Sequence, residues 1–331
     1  MPLFPRHPQG DKPPRQDPAE VARQRREEII RQERDQELLE AGMLPSGAQR
    51  RLAEIGQGGP DKLAFTSDLA ADEAGLLRRH GFAPLALVTG SAMYRISYAY
   101  ASAFHDTEVA ELSGAYMEAT RLAVERLRME AKTLGAHGVV GVRYDLVRHE
   151  WADGTVEVQV IGTAVSGPTK PTGGPWLSDL SGQEWWALYR AGYEPVTLAY
   201  GHCTWFVLTT QGDIWNEGNP QNIELRHFSQ AMGQCRTRAA NRMRQMARDT
   251  GSIGVVGVHV ARRLDEVHLA GAEQYGVSEE TEHHNLTLSL IGTAIRIRSD
   301  APDKVRGTTM VLSLRDGRLQ PIESESEAAF E

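Results

Sequence analysis

Three stretches of the chain carry residue types able to do chemistry. His202 and Cys203 stand side by side in GHCTW. An imidazole and a thiolate suit zinc or softer ions such as copper(I). The surrounding run reads as a strand, where adjacent side chains leave opposite faces, so one such pair is badly placed to chelate one ion. Cys203 reads instead as a small packed residue. Glu282, His283 and His284 close the stretch SEETEHH. On a strand Glu282 and His284 share a face, and a carboxylate with imidazoles can hold zinc. As a solvated acidic insertion the same stretch needs no ion. The segment 226–249 carries Arg226, Arg236, Arg238, Arg242, Arg244 and Arg248 around an apolar stripe of Phe228, Met232, Cys235, Ala239, Met243 and Met246. The arginines offer either an anion-binding face or a solvated face paired with acidic neighbours. Cys235, inside the stripe, reads as core. The chain has no CxxC pair, Ser-His-Asp spacing, Walker loop or dinucleotide fingerprint, so the expectation is a protein that is not an enzyme, with no cofactor. A metal ion is the one open alternative.

The frame around these residues is a soluble one. A length of 331 residues suits two ordinary domains, and 40% apolar residues is enough for packed cores. No apolar run approaches the 18 or so residues of a membrane span, and the proline- and charge-rich start MPLFPRHPQGDKPPRQDP has no signal-peptide core. The only cysteines, Cys203 and Cys235, point to a reducing compartment, and a cytoplasmic location is expected. A net charge of −8 makes nucleic acid an unlikely partner.

The elements that position the candidate residues occur twice. FTSDLAADEAGLLRRHGFAPLALVTGSAMY at 65–94 aligns with WLSDLSGQEWWALYRAGYEPVTLAYGHCTW at 176–205, at a constant offset of 111. LGAHGVVGVRYDL at 134–146 answers TGSIGVVGVHVAR at 250–262, offset by 116, and IGTAV at 161–165 answers IGTAI at 291–295, offset by 130. The extra length falls in connections, where it costs little. Repetition this long predicts two copies of one unit.

Each unit reads as a short helix (70–80, 181–191), a strand after a Gly-aromatic-x-Pro turn, a long helix (113–134, 226–249) and two further strands. Ser181 and Glu184 have capping-box spacing. Asp68 and Asp179, each preceded by a serine, read as caps as well. Tyr116, Ala119, Ala123, Leu127, Ala131 and Leu134 form a helical stripe. Val140, Val142, Tyr144 and Leu146 alternate, as do Val156, Val158 and Val160, around a turn at Ala152-Asp153-Gly154. The second unit's hairpin is interrupted by GAEQYGVSEETEHH. The expectation is an α+β unit in which a long helix covers one face of a three-stranded sheet. Such a sheet has two open edges and one bare face, and makes a poor monomer. Gly138, Gly141 and Gly162, with Gly254, Gly257 and Gly292 in the second unit, are expected to mark close packing between neighbouring units.

The helix RLAVERLRMEAKTLG, the strand GAHGVVGVRYD, the closing IGTAV and the upstream PLALVTGSAMY resemble the YbjQ-like family, labelled heavy-metal-binding. The resemblance spans about residues 65–167 and 176–298. It implies tandem dodecin-like β-α-β-β domains that assemble into a ring, typically of five units, and implies no known reaction.

The resulting division is a charged helical arm and linker (1–63), a first domain (64–168), a linker (169–175), a second domain (176–298), and a C-terminal hairpin with an acidic tail (299–331). The expected function is a ring-forming interaction or scaffold protein, whose arm recruits a protein partner. The alternative is a ring holding a small molecule or heavy metal between units. No membrane insertion is expected.

Overall fold

A computed structural model of the chain describes residues 18–56, 66–96, 105–148, 155–168, 174–209, 221–267 and 282–299, with the backbone of 310–312 and 319–321. The chain divides into two compact units, residues 1–58 and 59–331. The first holds α1 (Pro18–Glu40) and α2 (Ser46–Gly56). The Asp35 carboxylate accepts the Ser46 N–H at 2.7 Å and so fastens the turn between them. Ile29 and Ile30 of α1 are exposed, because its apolar residues do not gather into one stripe.

The second unit runs α3 (Ala71–Arg79), β1 (Ala83–Arg95), β2 (Thr107–Glu108), α4 (Ala110–Thr133), β3 (Gly138–Arg148), β4 (Thr155–Ser166), β5 (Trp176–Leu177), α5 (Gly182–Arg190), β6 (Tyr193–Val207), α6 (Arg226–Asp249), β7 (Gly254–Val267) and β8 (His283–Ile297), with a small pair β9 (Met310–Leu312) and β10 (Leu319–Pro321). The architecture is mixed α+β with two four-stranded sheets, ordered β1-β4-β3-β5 and β2-β6-β8-β7. The turn at 152–154 and most of the second hairpin's insertion lie outside the described residues.

The sheets hold four strands where three are expected, because each sheet gains, at one edge, a short strand from the other half of the chain. β5 runs parallel to β3 (Gly138 beside Trp176, Val139 beside Leu177). β2 runs antiparallel to β6 (Thr107 beside Phe206, Glu108 beside Trp205). A two-residue strand carries no periodicity of its own, so sequence pattern is blind to it.

The remaining registers agree between the sheets. β3 meets β4 with Val140 opposite Thr163 and Arg143 opposite Ile161, across a bulge. β7 meets β8 with Val256 opposite Thr293 and His259 opposite Ile291, across a bulge at the same place. Gly141 and Gly257 sit in these bulges with φ of 65° and 66°, a left-handed conformation that a Cβ disfavours.

The helices lie close on their sheets. The expected stripe of α4 is buried at Tyr116, Ala119, Ala123, Leu127 and Ala131. A Cβ on Gly90 of β1 would run into the Ala123 carbonyl, and one on Gly201 of β6 into the Ala239 carbonyl. Small residues on both surfaces let helix backbone meet strand backbone. The recurrence of Gly90 and Gly201 in the aligned stretches was the available sign of this contact.

Candidate functional site

His202 and Cys203 diverge, as strand geometry requires. His202 is fully buried, with Nε2 3.0 Å from the Thr120 hydroxyl of α4 and Nδ1 2.8 Å from Ser289 on β8. Burial, with the Arg242 charge nearby, pushes its pKa down to about 3, so the ring is neutral and both nitrogens are in use. Cys203 points the other way, into the core under α6 with Cys235, Ala239 and Met243. The Cys235 thiol donates to the Cys203 carbonyl at 3.1 Å. Its contact with Cys203 and its burial hold the Cys235 thiol well above its ordinary pKa, so Cys235 is no poised thiolate ligand; the same contact lowers the pKa of Cys203, whose sulfur is sealed in the core.

Glu282, His283 and His284 do not converge either. Glu282 is exposed. His283 is buried and accepts the Thr209 N–H at Nδ1, 3.2 Å away. His284 lies edge-on to Phe228, with Nδ1 3.3 Å from the Thr209 hydroxyl. Among the described residues no group of three or more His, Cys, Asp or Glu side chains is placed to hold a metal ion.

The α6 arginines split between solvent and one acidic partner. Arg238 and Arg242 bind Glu108 of β2 at 2.9 and 2.5 Å. Arg242 also donates to the His202 carbonyl at 2.7 Å. Despite the opposing cost of burial, hydrogen bonds from Ser113 and Arg242 hold the Glu108 pKa below the usual carboxylate value. Arg226, Arg236, Arg244 and Arg248 are exposed.

Asp68 and Asp179 do not cap helices as expected. The N-cap of α5 is Ser181, which accepts the Glu184 N–H, and that of α3 is Ala70. Each aspartate instead fastens its leading segment to the sheet behind it. The Asp68 N–H donates to Thr163 at 3.1 Å, and the Asp179 N–H donates to Thr293 at 3.0 Å. Asp68 pairs with Arg143 and Asp179 lies near His259, nitrogen-bearing side chains at matching places past the bulges. Burial raises the Asp179 pKa to about 6.

Residues 176–180 form a junction between the two sheets. Ser178 N–H donates to Val139 O at 2.9 Å, Val142 N–H to Ser178 O at 2.9 Å, and Gly141 N–H to Leu180 O at 3.0 Å. The same Ser178 bonds Thr293 of the second sheet through its hydroxyl, at 3.1 Å. Trp176 covers Gly138 so closely that a Cβ there would enter its ring. Leu69 touches Gly141, and Leu180 presses on Gly257. Gly162 and Gly292 pack against the valines of β3 and β7 respectively. Gly254 differs from Gly138: nothing lies within 4 Å of a Cβ built there. Exposed apolar residues recur on and just before β7, with Ile253 60%, Val258 41%, Val260 63% and Leu264 53% exposed.

Residues 77–167 match the family described as "Putative heavy-metal-binding". Over 205 residues the chain is 35% identical to the Encapsulin nanocompartment protein Rv1762c of Mycobacterium tuberculosis (strain ATCC 25618 / H37Rv), a span covering 60% of this chain and 78% of that protein. The chain belongs to the same family as this mycobacterial protein. No solved structure matches it. No described helix is long and apolar enough to cross a membrane.

Proposed function

We propose that the chain is a non-catalytic scaffold: two tandem copies of one dodecin-like domain that self-assemble into a closed ring. The observation carrying this reading is the apolar row on β7, where Val258, Val260 and Leu264 are 41%, 63% and 53% exposed on a strand with one neighbour among the described residues. Scattered exposed apolar residues are ordinary. A long apolar edge is not, because its unpaired N–H and C=O groups template further pairing unless something covers them. A relative whose name describes a nanocompartment protein supports self-assembly. The family resemblance supplies a ring number of five. The charged helix α1 would recruit a protein partner in the cytoplasm.

Light scattering on the purified chain at micromolar concentration tests the reading. A mass several times that of one chain is expected. A mass near 36.5 kDa overturns it.

A further inference from the structure

The contact between the two halves of the chain is built once, although the chain carries both of its surfaces twice. The first half gives the second half three things. β2 extends β6 at its edge. Helix α4 lies over the face of β6 that α6 leaves open, with Thr120 at His202 and Arg128 at Thr197. The edge of β3 receives residues 176–180, through Val139 O, Gly141 N–H and Val142 N–H. All three run in one direction, from first half to second.

The same surfaces recur at the two ends with no partner strand among the described residues. β7 has the register and bulge of β3, so Val255 O, Gly257 N–H and Val258 N–H stand on its outer edge, and β7 ends its sheet. Their sequence counterparts to residues 176–180 are residues 65–69, of which Phe65 lies outside the described residues. Ser67 is held to Thr163 as Ser178 is to Thr293. β1 likewise ends the first sheet, and Ser91 and Met93 are exposed where their counterparts His202 and Thr204 are buried. Ile223 and Glu224 precede α6 by the interval at which Thr107 and Glu108 precede α4. Ile223 is 41% exposed.

We infer that a second copy of this chain docks head to tail: its residues 66–69 pair with the outer edge of β7, and residues 223–224 of this chain extend its β1. The assignment rests on the self-assembly reading and names the surface that performs it. The partner's Ser67 and Leu69 supply the groups that Val255, Gly257 and Val258 lack. Contacts of this kind are heterologous, so each copy joined presents a fresh edge until the series closes.

Two substitutions test this without touching a packed site. Gly254→Leu fills the open space at the tail end, and Met93→Asp puts a charge on the head-end face that α6 of a neighbour would cover. Wild type, each variant and an equimolar mixture of the variants are compared by light scattering, with circular dichroism to confirm the fold. Each variant alone is expected to run as one chain. The mixture is expected to give the mass of two chains, because one intact head meets one intact tail. Variants that keep the wild-type multimer overturn the docking surface and leave self-assembly standing. A mixture that stays at one chain overturns the head-to-tail direction. A wild type near 36.5 kDa overturns both the docking surface and the reading beneath it.

Discussion

β1 and β6 are counterparts in sequence and opposites in surroundings. Along β6 every residue from Thr197 to Val207 is buried, because α6 covers one face and α4 the other. Along β1 only alternate residues are buried, and Ser91, Met93 and Arg95 face outward. β3 and β7 differ in the same sense: Val142 is 4% exposed and Val258 is 41% exposed. Local sequence makes the strand, the bulge and the glycine seat for the helix. A neighbour makes the burial. The difference between the two halves is therefore positional, since each is complete only on the side where the other stands.

The largest effect expected is one the halves share. Gly90→Val and Gly201→Val each drive a side chain into helix backbone, where no flexible group can give way, and should cost about 4 kcal/mol or more. Both variants should lose cooperative unfolding in thermal melts. Tolerance of one alone would mean that α4 and α6 do not sit alike.

His202 divides the halves next. Its folded pKa of about 3 lies below the ordinary value near 6.5, so its stabilising effect is whole above pH 6.5 and is lost as pH falls from 6.5 toward 3. The slope is about 1.4 kcal/mol per pH unit. Urea unfolding at pH 7 and pH 5 should differ by about 2 kcal/mol through this group, and His202→Gln should remove that part of the difference. Ser91→His, at the exposed counterpart, should add no such acid sensitivity in the dissociated chain. If it does, β1 is covered in the single chain.

Gly138→Ala should cost about 2 kcal/mol, because the methyl group meets the Trp176 ring, whereas Gly254→Ala should stay within about 0.5 kcal/mol in the dissociated chain. Equal costs would erase the contrast between the two edges. The smallest effect expected is on metal binding. Calorimetry with zinc and copper(I) should show no sub-micromolar site at His202 and Cys203, whose side chains leave opposite faces of β6. Sub-micromolar binding lost in Cys203→Ala would reverse that reading.

Much of this arrangement was legible in the sequence. The 111-residue offset aligned β1 with β6, the paired GVVGV stretches marked β3 and β7, and the stripe from Tyr116 to Ala131 gave the buried face of α4. Three features were not legible. Thr107–Glu108 and Trp176–Leu177 become strands only through partners far along the chain. Asp68 and Asp179 sit before helices as caps do, and only the fold reveals Thr163 and Thr293 behind them. Glu108, unremarked in sequence, is the anchor of Arg238 and Arg242, because ion pairs across 130 residues leave no local pattern.

Residues 176–180 are held on one side by the β3 backbone and on the other by Thr293, through bonds that the peptide link before them does not create. Recognition between the halves is therefore written into these bonds and not into the thread that joins them. Two polypeptides separated between residues 168 and 174 would each keep their side of the bonds described here.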